Sequence, residues 1–588
     1  MRRDNPFVLL DNARAVHGRL SLFRRAKGTI EAGAPEDVNG ALDEIGKAVA
    51  AGYHVAGYFS YELGYALEAK LAPLMPRERD LPLLWFGIFG ARDEFHDDEA
   101  DAVLAEAATG RAYTGPLALT ESEESYGAKF AHAKDYIAAG DIYQVNLTFP
   151  ARFRFVGDPM ALYRRLRLRA RAGHGAFIDD GARQLLSLSP ESFFTLENGR
   201  LTARPMKGTA ARGATPHEDA RLKAWLQASE KDRAENLMIV DLIRNDMGRV
   251  ARLGSVEVEE LFAIETYPTV HQMVSIVRAD VKQGTTPAGI VRALFPCGSV
   301  TGTPKIRAME IIRELESEPR GVYCGAIGAF APDGSADFNV AIRTLTIAGG
   351  EGRLNVGGAI VADSTTRGEY EECLIKARYY SEGRPEMTLI ETLRHEKDFV
   401  RRDLHLARME NSAREFGIAF DRTGAERVLA AAVRGHDGPS RVRLVLAEDG
   451  AFAGSAEPLP DSASWTYVIS ARQVQSGDAL ARHKTGWRDL YEAELASLRR
   501  TTGCDEVIFV NERDELAEGT RTNIFLRLDG RLVTPPLSSG ALDGRLRREV
   551  LDAGKCEERV LMLADLANAE TVYLGNSLRE MIEANPIG

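Results

Sequence analysis

The feature that most limits what this chain can fold into is a break. A helical pattern over Gly368–Tyr380 runs into SEGRPEM, Ser381–Met387, where Gly383 and Pro385 end it, and a strand-like run begins at Thr388. The chain has 588 residues, more than one hydrophobic core serves, so the break separates domains. A softer boundary falls around Thr109–Ser125, where acidic and small residues precede SYGAKFAHAKDYIAAGD. Three pieces follow: an N-terminal subdomain over residues 1–120, a main domain over 121–384 and a C-terminal domain over 388–588. In the main domain strand-like runs (QLLSLS, VYCGAIGAF, NVAIRTLTI) mix with helix-like ones. That mixture predicts an α+β fold with large, mainly antiparallel sheets.

The net charge of −12 argues against a nucleic-acid or anionic-membrane partner. It leaves an anionic substrate open, because a few placed arginines override a mean field. Cys297, Cys324, Cys373, Cys504 and Cys556 form no CxxC pair, so neither a zinc site nor a disulfide framework is expected. No apolar run reaches spanning length and the first residues hold no signal-peptide core, so the expected location is the cytoplasm.

Two helix-like segments carry paired carboxylates. Lys231–Val250 places Asp232 and Glu235 on one face of its first turn, and Gly368–Tyr380 aligns Glu369, Glu372 and Lys376. Acids in a first turn also simply suit the positive helix end. Four carboxylates in one pocket would repel unless a cation lay among them, and oxygen ligands suit Mg²⁺. Between them lies FPCGSVTGTPKIRAMEII, Phe295–Ile312, whose small residues expose N–H groups just before a helix. In RPMKGTAARG, Arg204–Gly213, Lys207 stands beside a glycine that lets backbone approach a ligand. Taken alone, it is also readable as a solvated loop lysine.

SPESFF, PMKGTAARG, ENLMIVDLIRND, GSVTGTPK, VYCGAIGAF, FNVAIRTL and VGGAIVADS followed by EYEECLIKA occur in that order. This ordered set resembles the chorismate-utilising enzymes: anthranilate, aminodeoxychorismate and isochorismate synthases. The resemblance is strong over residues 120–384 and weaker before, through FVLLD and GYFSYELGYALE. It implies that Gln144 stands where water-adding members carry a lysine base; an amide cannot deprotonate water. Lys207 stands where anthranilate synthases have alanine and aminodeoxychorismate synthases a lysine that adds to the ring. The two together imply 4-amino-4-deoxychorismate as product. The resemblance further implies Glu191 as the acid for the departing C4 hydroxyl and Asp232, Glu235, Glu369 and Glu372 as Mg²⁺ ligands. Gln144, Gly208, Thr209, His271, Ser299, Tyr323, Arg343, Gly357 and Lys376 would then bind chorismate, Arg343 through a bidentate carboxylate grip.

After the break, TLIETLRHEKDFVRRDLHLARMENSAREFG, HKTGWRDLYEAE, EVIFVN followed by ELAEGTRTNIF, and VYLGNSLREM resemble the class IV pyridoxal-phosphate enzymes, including aminodeoxychorismate lyase. The likeness implies Lys484 as the cofactor lysine, Glu518 at the pyridine nitrogen and Arg408 with Gly544–Arg545–Leu546 at the phosphate. Asn576 and Ser577 would add hydrogen bonds, and Thr392 would assist proton transfer. His405 and Arg408, at i and i+3, are also readable as a solvated helix face. The family's first strands are largely missing, and Gly486–Trp487 replaces a common asparagine.

The two resemblances together imply a bifunctional enzyme for 4-aminobenzoate and folate. It would aminate chorismate and then eliminate pyruvate with pyridoxal 5'-phosphate. The alternative is an anthranilate-type synthase joined to another class IV aminotransferase or to an inactive docking domain. None of the five cysteines has the setting of a glutaminase nucleophile, and the chain begins Met-Arg-Arg. Ammonia is therefore expected from a separate glutamine amidotransferase subunit. A homodimer through the pyridoxal domain is a further expectation.

Overall fold

The computed structural model describes residues 6–14, 18–267, 270–459 and 464–587. Met1–Arg3, used above against an N-terminal nucleophile, lie outside them. The chain forms two compact units. The first comprises Met1–Ala107, Pro116–Phe153 and Tyr163–Glu382, and the second Ala108–Gly115, Arg154–Leu162 and Gly383–Gly588. Among the described residues no helix is long and apolar enough to cross a membrane.

Among the described residues the first unit rests on two large sheets, paired antiparallel, as in the hairpin of His174–Asp179 with Gln184–Ser189 and the pair His54–Phe59 with Leu84–Phe89. Val8, Phe23, Ala176, Ile178 and Leu185 from one sheet bury against Ala56, Tyr58, Trp85 and Ile327 from the other. The fold is thus an α/β sandwich with large antiparallel sheets. The two carboxylate-bearing helices start from side-chain caps. The Ser229 hydroxyl accepts from the Asp232 N–H at 3.3 Å and opens Glu230–Gly248. The Thr365 hydroxyl accepts from the Gly368 N–H at 3.3 Å and opens Thr366–Ser381. Each helix buries one stripe, Asn236, Ile239, Val240, Ile243 and Met247 in the first, Cys373, Ala377 and Tyr380 in the second.

The second unit begins with the antiparallel sheet Thr388–His395, Ser440–Ala447 and Phe452–Pro458. Helices Arg402–Phe416 and Arg422–Ala432 share its core through Leu406, Met409, Ala413, Phe416, Ala425 and Leu429. A mixed eight-stranded sheet follows, with Trp465–Ile469 parallel to both Glu506–Val510 and Glu580–Pro586. The soft boundary around Thr109–Ser125 is split between the units. Tyr113 and Val156 are buried in the same core as Met387 and Leu393, and the Tyr113 hydroxyl donates to Glu448 at 2.9 Å. Apolar partners far along the chain decide where these segments pack.

Candidate active sites

In the first unit, Lys207 lies in Met206–Ala211, whose register with Val270–Asp280 shifts between Met206 and Thr209. Gly208 has φ +81°, and a Cβ there would stand 2.8 Å from the Asp232 Cβ, so glycine is required both for conformation and for space. Lys207 is half-buried, and burial lowers its pKa while Glu235 and Glu191 pull upward and Lys376 adds to the lowering. Glu191 is buried and accepts from the Ser299 hydroxyl at 2.8 Å. Burial raises its pKa, and Ser299, Lys207 and Lys376 hold the rise back. A carboxyl driven toward its neutral form thus faces an amine driven toward its own. That pairing suits proton donation and nucleophilic addition in one site.

Of the four carboxylates, Glu235 and Glu372 act on Lys207, Asp232 acts on Glu235, and Glu369 feels the charge of Glu372. Glu235 has its pKa raised by burial, against Lys207 and Lys231, and feels the charges of Asp232 and Glu372. Glu369 accepts from the Ser364 hydroxyl at 2.7 Å and is raised by burial. Glu372 is also pushed up by burial, but Lys376 Nζ at 2.8 Å outweighs this and holds it low. Lys376 donates to the Gly357 carbonyl at 2.8 Å as well. Among the described residues no three His, Cys, Asp or Glu side chains form a ready metal cage. Mg²⁺ commonly takes only one or two protein carboxylates, with waters and substrate oxygens completing the shell. Glu235 and Glu372 offer that donor set.

Other residues expected in this site differ in what surrounds them. Gln144 is fully buried, and its amide nitrogen and oxygen both lack a protein partner, the condition of a group kept for a ligand. A Cβ on Gly357 would meet Thr148 Cγ2 at 2.5 Å, so only glycine lets those strands approach. His271 is buried with Nδ1 at 3.0 Å from the Thr266 hydroxyl and Nε2 at 3.0 Å from Asp219. Both ring nitrogens serve the fold, which leaves no polar atom of that ring for a ligand. The Thr209 hydroxyl donates to Gln272 at 2.9 Å. Arg343 takes a left-handed backbone, φ +50°. Among the described residues no hydrogen bond or ion pair ties Thr209, Tyr323 or Arg343 to Glu191 or Lys207.

The second unit holds a cavity of about 200 Å³ whose wall includes Thr392, Arg408, Lys484, Glu518, Arg545, Asn576 and Ser577. Burial first, then the charges of Arg408 and Arg488, bring the Lys484 pKa down to about 7. Glu518 accepts from the Tyr491 hydroxyl and from the Leu542 N–H, each at 2.9 Å. Burial raises its pKa, and those bonds with Arg488 and Lys484 moderate the rise. Arg408 grips Glu391 through two bonds of 2.7 and 2.6 Å and donates to the Asp543 carbonyl at 2.9 Å. His405 stands 2.6 Å from Glu391 through Nδ1 and 2.7 Å from the Ser577 hydroxyl through Nε2. Neither residue belongs to a solvated helix face. Leu546 is not on the cavity wall. It is buried, with its side chain near Gly575, so only its N–H, at the start of Arg545–Asp552, remains for an anion. Asn576 spends its amide on backbone, accepting from the Leu578 and Arg579 N–H groups at 3.0 Å and donating to the Arg521 carbonyl at 3.2 Å. An amine able to lose its proton near neutrality, a buried acid and a cationic end together fit pyridoxal phosphate.

Residues 5–381 match the model of the chorismate binding enzymes. The chain belongs to that family. This chorismate binding enzyme also carries a class IV amino-transferase domain, matched over residues 388–587. An aminodeoxychorismate synthase of Streptomyces griseus is 48% identical over 265 residues, 45% of this chain and 37% of that protein. Aminodeoxychorismate synthase component 1 of Klebsiella aerogenes is 44% identical over 341 residues, 54% of this chain and 74% of that protein. The solved anthranilate synthase component I from Streptococcus pneumoniae TIGR4 has a TM-score of 0.53 at 26% identity, covering 61% of this chain and 91% of that one.

Sequence reasoning about this chorismate binding enzyme passed over three residues its structure places at or behind the cavity: Glu391, His405 as a partner of Ser577, and Tyr491. Glu391 carried one usable signal. It directly precedes Thr392, so in a strand it points to the opposite face, where the helix bearing Arg408 packs.

Proposed function

We propose that this chain makes 4-aminobenzoate from chorismate in two steps. The first unit replaces the C4 hydroxyl of chorismate with ammonia, releasing water and giving 4-amino-4-deoxychorismate. The second splits that compound into pyruvate and 4-aminobenzoate, a folate precursor. The observation that carries the reading is Lys207, an amine of lowered basicity between Glu191 and Glu235. In this reading Lys207 adds at C2 as the C4–O bond breaks, Glu191 gives its proton to the departing oxygen so that it leaves as water, and ammonia then adds at C4 as the Lys207–C2 bond breaks and frees the lysine. Glu235 and Glu372 would hold Mg²⁺, which supplies positive charge for a substrate carboxylate.

Pyridoxal phosphate, when bound, supplies an electron sink. Lys484 holds it and moves protons, assisted by the Thr392 hydroxyl. Arg408, Ser577 and the N–H groups opening Arg545–Asp552 hold its phosphate, and Glu518 keeps a proton at the ring nitrogen. For the first step alone, the names of two relatives, both aminodeoxychorismate synthases, support this reading. Ammonia comes from a partner glutaminase or from free ammonium. The test is Lys207→Ala with chorismate and ammonium. Formation of aminodeoxychorismate is expected to fall by about a hundredfold or more, the scale of a lost catalytic group, with some turnover diverted to anthranilate. Wild-type kinetics in that variant would remove Lys207 from the mechanism.

A further inference from the structure

The cavity of the second unit carries more positive charge than one phosphate needs. Beyond Arg408 and Arg545 its wall includes Arg441, Arg443, Arg488, Arg521 and Arg579, against the acids Glu492 and Glu518. Glu518 is committed to Tyr491 and Leu542, and Arg488 to the Thr520 carbonyl and the Tyr491 ring.

Three of these arginines form a group. The guanidinium of Arg579 lies 5.5 Å over the Trp465 ring, and its Nε is buried with no protein partner. Burial, then the charges of Arg521 and Arg441, lower its pKa. Glu506 is the acid that opposes them, but its carboxylate already accepts from the hydroxyls of Thr520 and Thr522 and from the Arg521 N–H. Arg441 reaches Glu457 on the neighbouring strand. The Arg521 guanidinium makes a long bond, 3.4 Å, to the Asp505 carbonyl. Asn576 ties the backbones that carry two of them, since its amide donates to the Arg521 carbonyl and accepts from the Arg579 backbone N–H. Like charges held together at a cavity wall repel, and an anion among them removes that cost.

We propose that Arg441, Arg521 and Arg579 form a receptor for a substrate carboxylate, so that the pyridoxal half selects an amino substrate with two carboxylates. The choice of ligand rests on the lyase reading above. Aminodeoxychorismate bears one carboxylate on its ring and one on its enolpyruvyl ether, whereas a simple aliphatic amino acid presents one. The guanidinium fork suits this task because it pairs both carboxylate oxygens.

The test uses the full chain loaded with pyridoxal phosphate, whose visible band reports on the second unit alone. The probes are 3-(carboxymethoxy)benzoate, with two carboxylates, and benzoate, with one. The dicarboxylate is expected to perturb the band at about tenfold lower concentration or less. An Arg521→Met, Arg579→Met double variant is expected to lose that preference while its ligand-free band is unchanged, and the corresponding lysine variant to recover part of it. Equal midpoints for the two probes in the wild-type chain, or full preference in the double variant, would overturn the receptor. Pyruvate release from aminodeoxychorismate is measured alongside. Preference without pyruvate supports the receptor and sinks the lyase reading, whereas pyruvate without preference sinks the receptor alone.

Discussion

A lysine attacks carbon only after shedding its proton, and Lys207 and Lys484 approach that state through different balances. At Lys207 burial, joined by Lys376, works against Glu235, Glu191 and Glu372. At Lys484 burial is joined by Arg408 and Arg488, and the pKa falls to about 7. The neutral fraction of Lys484 grows as pH rises through that value, far below the ordinary lysine value of 10.5. Capture of pyridoxal phosphate by the cofactor-free chain is therefore expected to accelerate as pH rises through about 7, followed at the visible band. Acceleration confined to pH above about 9 would contradict the assignment. In Lys484→Ala the band is expected to vanish, with aminodeoxychorismate accumulating and no 4-aminobenzoate released. Both lysines were legible in the sequence as residue types in recognisable motifs. Their basicity was not, because it depends on Glu235, Glu191, Arg408 and Arg488, which the fold brings in from elsewhere.

Packing between elements fixes the Arg408 end of the cavity in the second unit. Strand Thr388–His395 and helix Arg402–Phe416 are joined by a buried set in which Glu391 faces Arg408 and His405. Burial pushes the Glu391 pKa up, but Arg408 and His405 outweigh it and hold the group far below its ordinary 4.5. The resulting stabilisation is fully present above about pH 4.5 and is lost as pH falls toward the lower folded value. Glu391→Ala leaves Arg408 buried without its partner and is expected to cost about 3–5 kcal/mol, read as a lower denaturant midpoint, with weaker pyridoxal phosphate binding. An unmoved midpoint would show that water already compensates the pair. The sequence marked the helices Glu230–Gly248 and Thr366–Ser381 almost to their ends, because caps and apolar stripes are local signals. It did not reveal that Ala108–Gly115 and Arg154–Leu162 pack in the second unit. Their partners, such as Phe416 for Tyr113, lie hundreds of positions away.

For the molecule as a whole, the proposed function puts two chemistries with separate requirements on one chain. Chelation of Mg²⁺, or Glu372→Ala, is expected to stop chorismate turnover while leaving pyruvate release from supplied aminodeoxychorismate intact. Synthase activity untouched by chelation would refute the carboxylate site. Glutamine alone is expected to be inert with the purified chain, since all five cysteines are buried and free and none stands in a glutaminase setting. Robust glutamine-driven turnover would contradict that. The central claim is that one chain carries chorismate through amination and elimination. It is tested most directly by incubating the purified chain with chorismate, ammonium and Mg²⁺, with and without pyridoxal phosphate, and quantifying the products. The account predicts 4-aminobenzoate and pyruvate in equal amounts with the cofactor, and aminodeoxychorismate accumulating without it. Anthranilate as the main product under both conditions would contradict it.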